Sequence, residues 1–299
     1  ALAGLKISPA IFSQLGQAIS SVGAIFLYGE PGNGKTSIAE RLTRAFGSCI
    51  WIPRSISVDG EIVRVYDPMV HEEVPLSEST ASHDRGIDRR WIRIRRPTVV
   101  AGGELTLDHL EFGVDRATGS VEAPLHLKSN CGTLVIDDFG RQRVGTTELL
   151  NRWIVPLEKQ YDFLTTPSGK KIQVPFDQLT VFATNLEPEH LVDEAFLRRI
   201  PYKVEVNNPT EQEFRGLFET LCNEYELDHR ADVVDYLVSE HYRAAGRPFR
   251  FCHVRDLLRQ ISNYCRFHDR QKEMAVEVID AVVLNYFGNM APVATTTNQ

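Results

Sequence analysis

The stretch "GEPGNGKTS", Gly29 to Ser37, decides the fold of this chain. It follows the apolar run "GAIFLYG" (23–29) and opens the helical pattern "KTSIAERLTRAFG" (35–47). It fits G-x-x-x-x-G-K-[ST], where glycines let the backbone turn tightly and aim its N–H groups at phosphate oxygens. A strand before such a loop and a helix after it predict a phosphate-binding loop on a parallel sheet.

Every residue of this loop is a candidate for nucleotide contact: Gly29, Glu30, Pro31, Gly32, Asn33, Gly34, Lys35, Thr36 and Ser37. Lys35 places a cation on the β- and γ-phosphates, and the Thr36 hydroxyl can bind Mg²⁺. The alternative is a glycine-rich turn with a solvated lysine. The flanking strand and helix disfavour it, so we expect ATP and Mg²⁺ as ligands.

The octet "TLVIDDFG" (133–140) supplies the second half of such a site. Its apolar run predicts a buried strand that ends at two acids. We expect Asp137 to bind the Mg²⁺ and Asp138 to orient or deprotonate the attacking water. Two solvated carboxylates at a strand end are the alternative. If the acid pair is considered alone, that alternative is as plausible as a metal site. The phosphate loop elsewhere in the chain disfavours it.

Composition restricts the class of protein. The net charge of −7 argues against a general nucleic-acid binder. The five cysteines are scattered and lack zinc spacing, which predicts reduced thiols, a cytoplasmic protein and no structural metal. Neither a signal peptide nor an apolar stretch near the ~20 residues of a membrane span is visible, so we expect no membrane insertion. Because the chain begins at Ala1 rather than Met, further domains before it are an open expectation.

The order of the elements predicts two domains. Short apolar strands alternate with helices up to residue 207, which indicates an α/β domain (1–207) with a parallel sheet covered on both faces. Helical periodicity follows at 210–226, 231–244, 252–268 and 274–287, so residues 208–288 are predicted to form an all-helical domain. The boundary falls at 207–209, and the tail 289–299 is predicted to be disordered.

Other elements are predicted from local patterns. They are a helix at 8–20, a hairpin about the "DG" at 59–60, a surface loop at 67–88, a strand "WIRIRRPTVV" ended by Pro97, a short helix at 103–112, a helix at 146–160 bent or ended at Pro156, a hairpin at 161–176, strands at 179–185 and 202–206, and a helix near 189–199.

The basic run "RRWIRIRR" (89–96) has two interpretations. With Trp91 inside it, it could bind single-stranded nucleic acid by charge and stacking. Its alternation favours an ordinary strand with one solvated face. The nearby acids that would screen its charge are Glu72, Glu73, Asp84 and Asp88.

Three further motifs complete a resemblance to AAA+ ATPases that covers almost the whole chain. "FATN" (182–185) resembles sensor 1, "DEAFLRRI" (193–200) the helix that ends in the arginine finger, and "HVRDLLRQ" (253–260) sensor 2. The phosphate loop and the acid pair then resemble Walker A and Walker B. The resemblance implies a parallel-sheet P-loop NTPase core with a C-terminal all-helical lid domain.

The resemblance also assigns roles to residues. Asn185 would sit beside the γ-phosphate, Arg255 would reach back to the phosphates, and Arg199, or Arg198 as second choice, would reach the nucleotide of an adjacent subunit. The alternatives are a solvated helix end for the arginine pair and a salt bridge on the lid for Arg255. Arg141 or Arg143 could equally face a neighbouring subunit or lie in a surface loop.

Two insertions suggest a subgroup. Residues 161–176 resemble a pre-sensor-1 hairpin, and 113–130 lie where helix-2-insert members carry a pore loop. This combination resembles MoxR-type ATPases, magnesium-chelatase subunits and the ATPase domain of enhancer-dependent activators. "RATGS" (116–120) matches the activator loop only faintly and no helix-turn-helix is present, so the activator function is not carried over. The insertion at about 56–100 has no clear family counterpart.

Asp138 departs from the glutamate usual in this family. An Asp carboxylate is retracted by about 1.5 Å, one bond length of chain. A shifted backbone or a second water would give slow hydrolysis, whereas a site without turnover would act as a switch. Because the other hydrolytic residues are all present, we expect slow hydrolysis.

Three hypotheses for function follow. The first is an ATP-driven ring, a hexamer, that remodels an unidentified protein partner as MoxR-type chaperones do. The second is a nucleic-acid motor or loader, or a transcription-related ATPase, of the same fold. The third is a nucleotide-gated scaffold with little turnover.

Overall fold

The computed structural model describes residues 7–21, 23–58, 60–75, 88–115, 117–192 and 194–288. Contacts divide the chain into two compact units. The first covers the chain up to Val206 except for the segment Glu30–Gly34. The second comprises Glu30–Gly34 together with the chain from Asn207 onward. Each unit has a hydrophobic core of its own.

The first unit is built on a five-stranded parallel sheet in the order Tyr202–Glu205, Ala24–Tyr28, Leu179–Ala183, Thr133–Ile136 and Thr98–Ala101. The strands of the unit are β1 Ala24–Tyr28, β2 Cys49–Pro53, β3 Ser55–Val58, β4 Glu61–Arg64, β5 Trp91–Arg95, β6 Thr98–Ala101, β7 Gly113–Val114, β8 Val121–Glu122, β9 Thr133–Ile136, β10 Tyr161–Thr165, β11 Lys171–Pro175, β12 Leu179–Ala183 and β13 Tyr202–Glu205. Its α-helices are α1 Pro9–Ser21, α2 Lys35–Leu42, α3 Leu125–Lys128, α4 Thr146–Lys159, α5 Pro188–Leu191 and α6 Glu194–Leu197. The predicted α/β fold class is therefore confirmed.

The central strands are largely apolar because helices and loops cover both faces of the sheet. Every residue of β9 and β12 is buried. On one face Phe26, Phe182 and Trp153 pack in one cluster, and on the other Ile25 and Val181 pack in a second. Since the strands are parallel, β1, β9 and β12 end at the same edge of the sheet.

The strand predicted in "WIRIRRPTVV" does end just before Pro97, but the prediction missed a second strand after it. The segment forms two strands in different sheets: β5 pairs antiparallel with β2, and β6 pairs parallel with β9 in the core sheet. Proline supplies no N–H and fixes its own φ, so Pro97 interrupts the ladder, while its carbonyl accepts the N–H of Thr133 at 2.9 Å. The apolar residues after it resume as the edge strand of the core.

The basic run does have one solvated face, as its alternation predicts. Ile92 and Ile94 are buried, whereas Trp91 and Arg95 are exposed. Glu72 pairs with Arg95 at 2.8 Å, and Asp88 pairs with Arg90 at 2.7 Å. The predicted contribution of Asp84 lies outside the described residues.

Several helical predictions need correction. The helix near 189–199 is two single turns, α5 and α6, because Val192 between them is extended. The helix at 103–112 is only a 3₁₀ turn, Leu107–Leu110. The helix after Leu42 continues as a 3₁₀ turn, Thr43–Phe46, and α4 runs through Pro156 to Lys159. Propensity alone does not show where tertiary contacts interrupt a turn.

Both predicted hairpins form. β3 pairs antiparallel with β4 around Gly60, which has a φ of +89°, and β10 pairs with β11. The segment 113–130 carries the short strands β7 and β8 and the single turn α3. The predicted surface loop at 67–88 is partly wrong, because His71 is buried and its Nε2 lies 2.8 Å from the Lys128 carbonyl. Residues 76–87 lie outside the described part.

Helices are the regular elements of the second unit among its described C-terminal residues. It comprises α7 Glu211–Glu224, α8 Ala231–Tyr236, a π-helical segment Leu237–Arg243, α9 Phe251–Phe267 and α10 Val276–Phe287. Thr210 caps α7 by accepting the N–H of Glu213. The predicted disordered tail 289–299 lies outside the described residues. Across the described ranges, every helix is too short or too polar to cross a membrane.

A buried ionic cluster fixes the β10–β11 hairpin to the rest of the first unit. Arg152 on α4 binds both carboxylate oxygens of Asp162 at 2.8 and 2.7 Å, and its Nε binds Glu111 at 2.9 Å. Nε2 of His126 lies 3.1 Å from Asp162, without the alignment of a hydrogen bond. Burial by itself raises the pKa of Asp162, but the contacts with His126 and Arg152 outweigh it and lower the pKa to about 2.

This cluster predicts a pH-dependent contribution to stability. The folded-state pKa of Asp162 is below its ordinary value, so its contribution is complete above about pH 4 and is lost as the pH falls toward 2. We expect the difference in free energy of unfolding between wild type and Asp162→Asn to shrink by about 2 kcal/mol over that window. Urea unfolding of both chains from pH 6 to 2.5 measures it. A difference that does not vary with pH would contradict the prediction.

Candidate functional site

The loop after β1 begins with a glycine that no other residue can replace without strain. Gly29 has a φ of +126°, and a Cβ built there would lie 2.7 Å from the carbonyl oxygen of Val206. The Val206 N–H donates to Tyr28 at 2.8 Å, so β13 holds that carbonyl close to the loop. The loop therefore leaves the sheet in a direction that only glycine permits.

Lys35 is the first residue of α2, and its side chain is buried, with 8% of the residue exposed. Its ammonium group donates to the Gly29 carbonyl at 2.8 Å and to Oδ1 of Asn185 at 2.7 Å. A buried ammonium needs such acceptors because it has left water. The structure thus brings the predicted phosphate-binding lysine and the predicted sensor 1 asparagine into direct contact.

Thr36 and the first acid of the pair also meet. The Thr36 hydroxyl lies 2.9 and 3.1 Å from the two carboxylate oxygens of Asp137. Thr36 is the second residue of α2 and Asp137 directly follows β9, so neighbouring elements of the sheet edge supply the two groups. A hydroxyl and a carboxylate are hard oxygen donors of the kind that Mg²⁺ prefers. The described residues hold no cluster of three or more His, Cys, Asp or Glu suited to a metal ion.

Asp138 is exposed and faces the same asparagine. Its Oδ1 accepts a hydrogen bond from Nδ2 of Asn185 at 3.2 Å. Its backbone is left-handed, with a φ of +48°, and its N–H donates to Asp137 Oδ1 at 3.1 Å. Asn185 therefore bridges Lys35 on one side and Asp138 on the other.

The middle of the phosphate loop belongs to the second unit. The Gly32 carbonyl accepts the N–H of Cys252 at 2.9 Å, and Arg250 pairs with Glu30 at 2.9 Å. Asn33 is buried and donates to Oδ1 of Asn208 at 2.7 Å. Sequence reasoning missed Arg250 and Asn208, since nothing local marks residues that are more than 170 positions from their partners.

The predicted arginines do not join these contacts. Arg199 pairs with Glu158 on α4 at 2.7 Å, and Arg198 is exposed in the turn after α6. Arg255 is exposed on α9 and forms no ion pair with any residue that the structure describes. Arg141 and Arg143 are exposed in the loop after the acid pair. Ser37 lies in the first turn of α2 and Pro31 is exposed in the loop.

Comparison with known structures identifies the fold. The chain superposes on NtrX from Brucella abortus in complex with ADP with a TM-score of 0.57 and 14% identity, over 98% of this chain and 58% of that one. The Holliday junction branch migration motor RuvB from Thermotoga maritima gives 0.51 and 13% identity, over 92% of this chain and 68% of that one. The chain has the fold of AAA+ P-loop NTPases.

Sequence comparison adds one match. Residues 210–285 match the domain family DUF8689, described as a domain of unknown function. No curated protein matches the chain. This chain spans about three fifths of the NtrX chain. At these low identities the likeness describes the fold and not the activity.

Two glycines with opposite environments test the geometry of the loop. Gly29→Ala adds a methyl group against the Val206 carbonyl at a positive φ, and we expect it to destabilise the fold by about 1–3 kcal/mol. Gly16→Ala is the matched control, because Gly16 lies inside α1 with no atom within 4 Å of an added Cβ. It should stabilise the chain by up to about 1 kcal/mol.

The measurement is the free energy of unfolding in urea without nucleotide. Equal effects of the two substitutions, or a neutral Gly29→Ala, would show that the Val206 carbonyl does not limit the loop.

Proposed function

We propose that this chain binds ATP with Mg²⁺ and hydrolyses it. The observation that carries the proposal is the hydrogen-bonded series Gly29, Lys35, Asn185 and Asp138 at the carboxyl edge of the sheet. It places a cation for phosphate, an amide and an exposed carboxylate next to each other on elements far apart in sequence. A solvated glycine turn would not need this series.

The residues that would hold the nucleotide are those of the loop from Gly29 to Ser37. Backbone N–H groups and the Lys35 ammonium suit the phosphates. Thr36 and Asp137 would hold the Mg²⁺, whose bound charge neutralises the phosphate oxygens. One hydroxyl and one carboxylate suit an ion that is otherwise bound by water and phosphate.

Asp138 and Asn185 would act on the attacking water. Oδ1 of Asp138 is bonded to Asn185, which leaves its second carboxylate oxygen to accept a proton from water. Asn185 is held by Lys35, so the carboxylate and the amide keep a constant separation. The shorter arm of aspartate still limits its reach, and we therefore propose slow hydrolysis.

We further propose a ring, a hexamer, in which Arg199 of one subunit completes the site of the next, with Arg198 as the second candidate. An arginine that one subunit supplies to the transition state in the next can raise the rate of hydrolysis by a factor of about 10³–10⁵. Arg199 would have to leave Glu158, but partly exposed ion pairs are typically worth only about 0.2–1 kcal/mol, so the arginine can be released. Residues 208–288 would serve as a lid, with Arg255 reaching the phosphates.

The partner is proposed to be a protein that the ring remodels, as for MoxR-type chaperones. The net charge of −7 supports a protein rather than a nucleic acid. The β10–β11 hairpin is anchored by the Arg152–Asp162 pair and leaves Phe163 partly exposed, a side chain suited to gripping a polypeptide. All five cysteines are free thiols, which supports the cytoplasm as the compartment.

Two substitutions separate binding from hydrolysis. Lys35→Ala removes the cation from the phosphates, and we expect ATP affinity to fall at least about tenfold. Asp138→Asn keeps the hydrogen-bonding shape but cannot accept a proton, so hydrolysis should fall about 10²–10⁴-fold with binding retained. Equilibrium binding and single-turnover cleavage of ATP measure the two effects.

Lys159→Ala is the matched control, at an exposed lysine on the last turn of α4. It should leave binding and hydrolysis unchanged. If Lys35→Ala binds ATP like wild type, the site assignment fails. If wild type and Asp138→Asn share one negligible rate, the chain is a nucleotide-gated scaffold rather than an ATPase.

Mixing of variants tests the ring. Arg199→Ala and Asp138→Asn should each be nearly inactive alone. Mixed in equal amounts, they should regain activity because some sites then combine an intact Asp138 with an intact Arg199. The measurements are ATP turnover of the mixture and the mass in solution with and without ATP. A monomer at every ATP concentration, or no regain with either Arg199→Ala or Arg198→Ala, would contradict assembly in trans.

A further inference from the structure

The turn that follows β9 is closed by one side chain that the proposed chemistry does not use. Oε1 of Gln142 accepts the N–H of Gly140 at 2.8 Å. Its Nε2 donates to the carbonyl of Asp137 at 2.9 Å and to the carbonyl of Asp138 at 3.3 Å. Both the oxygen and the nitrogen of the Gln142 carboxamide therefore form hydrogen bonds with the main chain around Asp138.

The opposite side of the same turn is anchored to the sheet. The Phe139 N–H donates to the Ala183 carbonyl at 2.8 Å, and the Phe139 carbonyl accepts from the Thr184 hydroxyl at 2.9 Å. The Phe139 ring is buried against Phe26 and Phe182. Asp138 therefore lies between a residue fixed to β12 and a loop fixed by Gln142.

The backbone at Asp138 needs such support. Its φ of +48° is a left-handed conformation that side chains other than glycine seldom adopt. Gly140, two residues on, has a φ of +98°, and a Cβ built there would lie 2.7 Å from a methyl group of Leu191. Without the Gln142 bonds, the peptide between Asp137 and Asp138 could relax toward an ordinary conformation, and the Cα–Cβ direction of Asp138 would turn with it.

That direction decides where a short side chain can reach. A glutamate could correct a turned backbone with its additional rotatable bond, whereas aspartate has only two side-chain torsions. Oδ1 of Asp138 meets Nδ2 of Asn185 at 3.2 Å, the long end of the hydrogen-bond range, so little displacement is tolerated. The position of the carboxylate is therefore set by the main chain. Gln142 holds that main chain together with the Arg141 N–H, which donates to the Asp138 carbonyl at 3.0 Å.

We propose that Gln142 is a positioning residue for ATP hydrolysis, which holds Asp138 in the left-handed turn so that its short carboxylate reaches the attacking water beside Asn185. The assignment rests on the proposed hydrolysis. It explains how this chain can use aspartate at a position where AAA+ ATPases, which the chain resembles, usually have glutamate.

The test is a double-mutant cycle read in single-turnover ATP cleavage. Gln142→Ala should lower the cleavage rate about 10- to 100-fold, since misplacing a catalytic group by about 1 Å can cost about 10²-fold. ATP affinity should change less than about threefold, because Gln142 touches neither Lys35 nor Thr36. In an Asp138→Glu background, whose longer arm reaches without the held turn, the same substitution should cost less than about threefold.

Gln142→Met keeps the length of the side chain without its hydrogen bonds and should behave like Gln142→Ala. Gln14→Ala, at an exposed glutamine on α1, should leave the rate unchanged. A purely structural role would lower ATP affinity and melting temperature together and would cost the same in both backgrounds. Equal costs, an unchanged rate in Gln142→Ala, or an inactive Asp138→Glu chain would each overturn the assignment.

These failures are distinct from a failure of the proposed function. If wild type cleaves no ATP, the ATPase proposal falls and the Gln142 assignment falls with it. If wild type cleaves ATP and Gln142→Ala cleaves it equally fast, only the Gln142 assignment falls.

Discussion

A buried ammonium group must be surrounded by oxygen atoms, and the site in this chain is organised around that requirement. Lys35 is placed at the start of α2, inside the edge of the sheet, where water cannot solvate it fully. The Gly29 carbonyl and the Asn185 amide oxygen take the place of water. Because these acceptors lie at the ends of β1 and β12, the register of the parallel sheet sets the position of the lysine.

The acid pair depends on the same sheet edge. β9 pairs with β12, so Asp137 emerges beside Asn185 and opposite Thr36. Each of the two carboxylates has a separate partner: Asp137 the Thr36 hydroxyl, and Asp138 the Asn185 amide. Under the proposed function, this separation would let Asp137 serve the metal ion while Asp138 acts on water.

Away from the site, two ion pairs connect elements of the first unit. The Arg152–Asp162 pair and the Lys128–Asp67 pair are largely buried. The first joins α4 to the β10–β11 hairpin, and the second joins residues 61 positions apart. Removing one partner of such a pair leaves an uncompensated charge, which typically costs several kcal/mol. These pairs therefore define where the β10–β11 hairpin and the 113–130 segment sit within the first unit.

The sequence by itself determined the class of fold and the local chemistry. The glycine–lysine–threonine loop, the apolar strand ending at Asp137 and the "FATN" strand are local patterns, and local patterns are read directly from the order of residues. Only the tertiary structure decided which strands pair, that residues after Pro97 form the edge of the core, and that a helix near 189–199 breaks at Val192.

The tertiary structure also decided what no spacing could show: that Asn185 joins Lys35 to Asp138, and that Gln142 closes the turn beneath the acid pair. The bonds through Asn185 join residues brought together by long-range strand pairing, whereas those of Gln142 depend on a left-handed turn that the residue types alone do not specify. A sequence specifies which groups are available, but the distances between them are set only when the strands pair into the sheet.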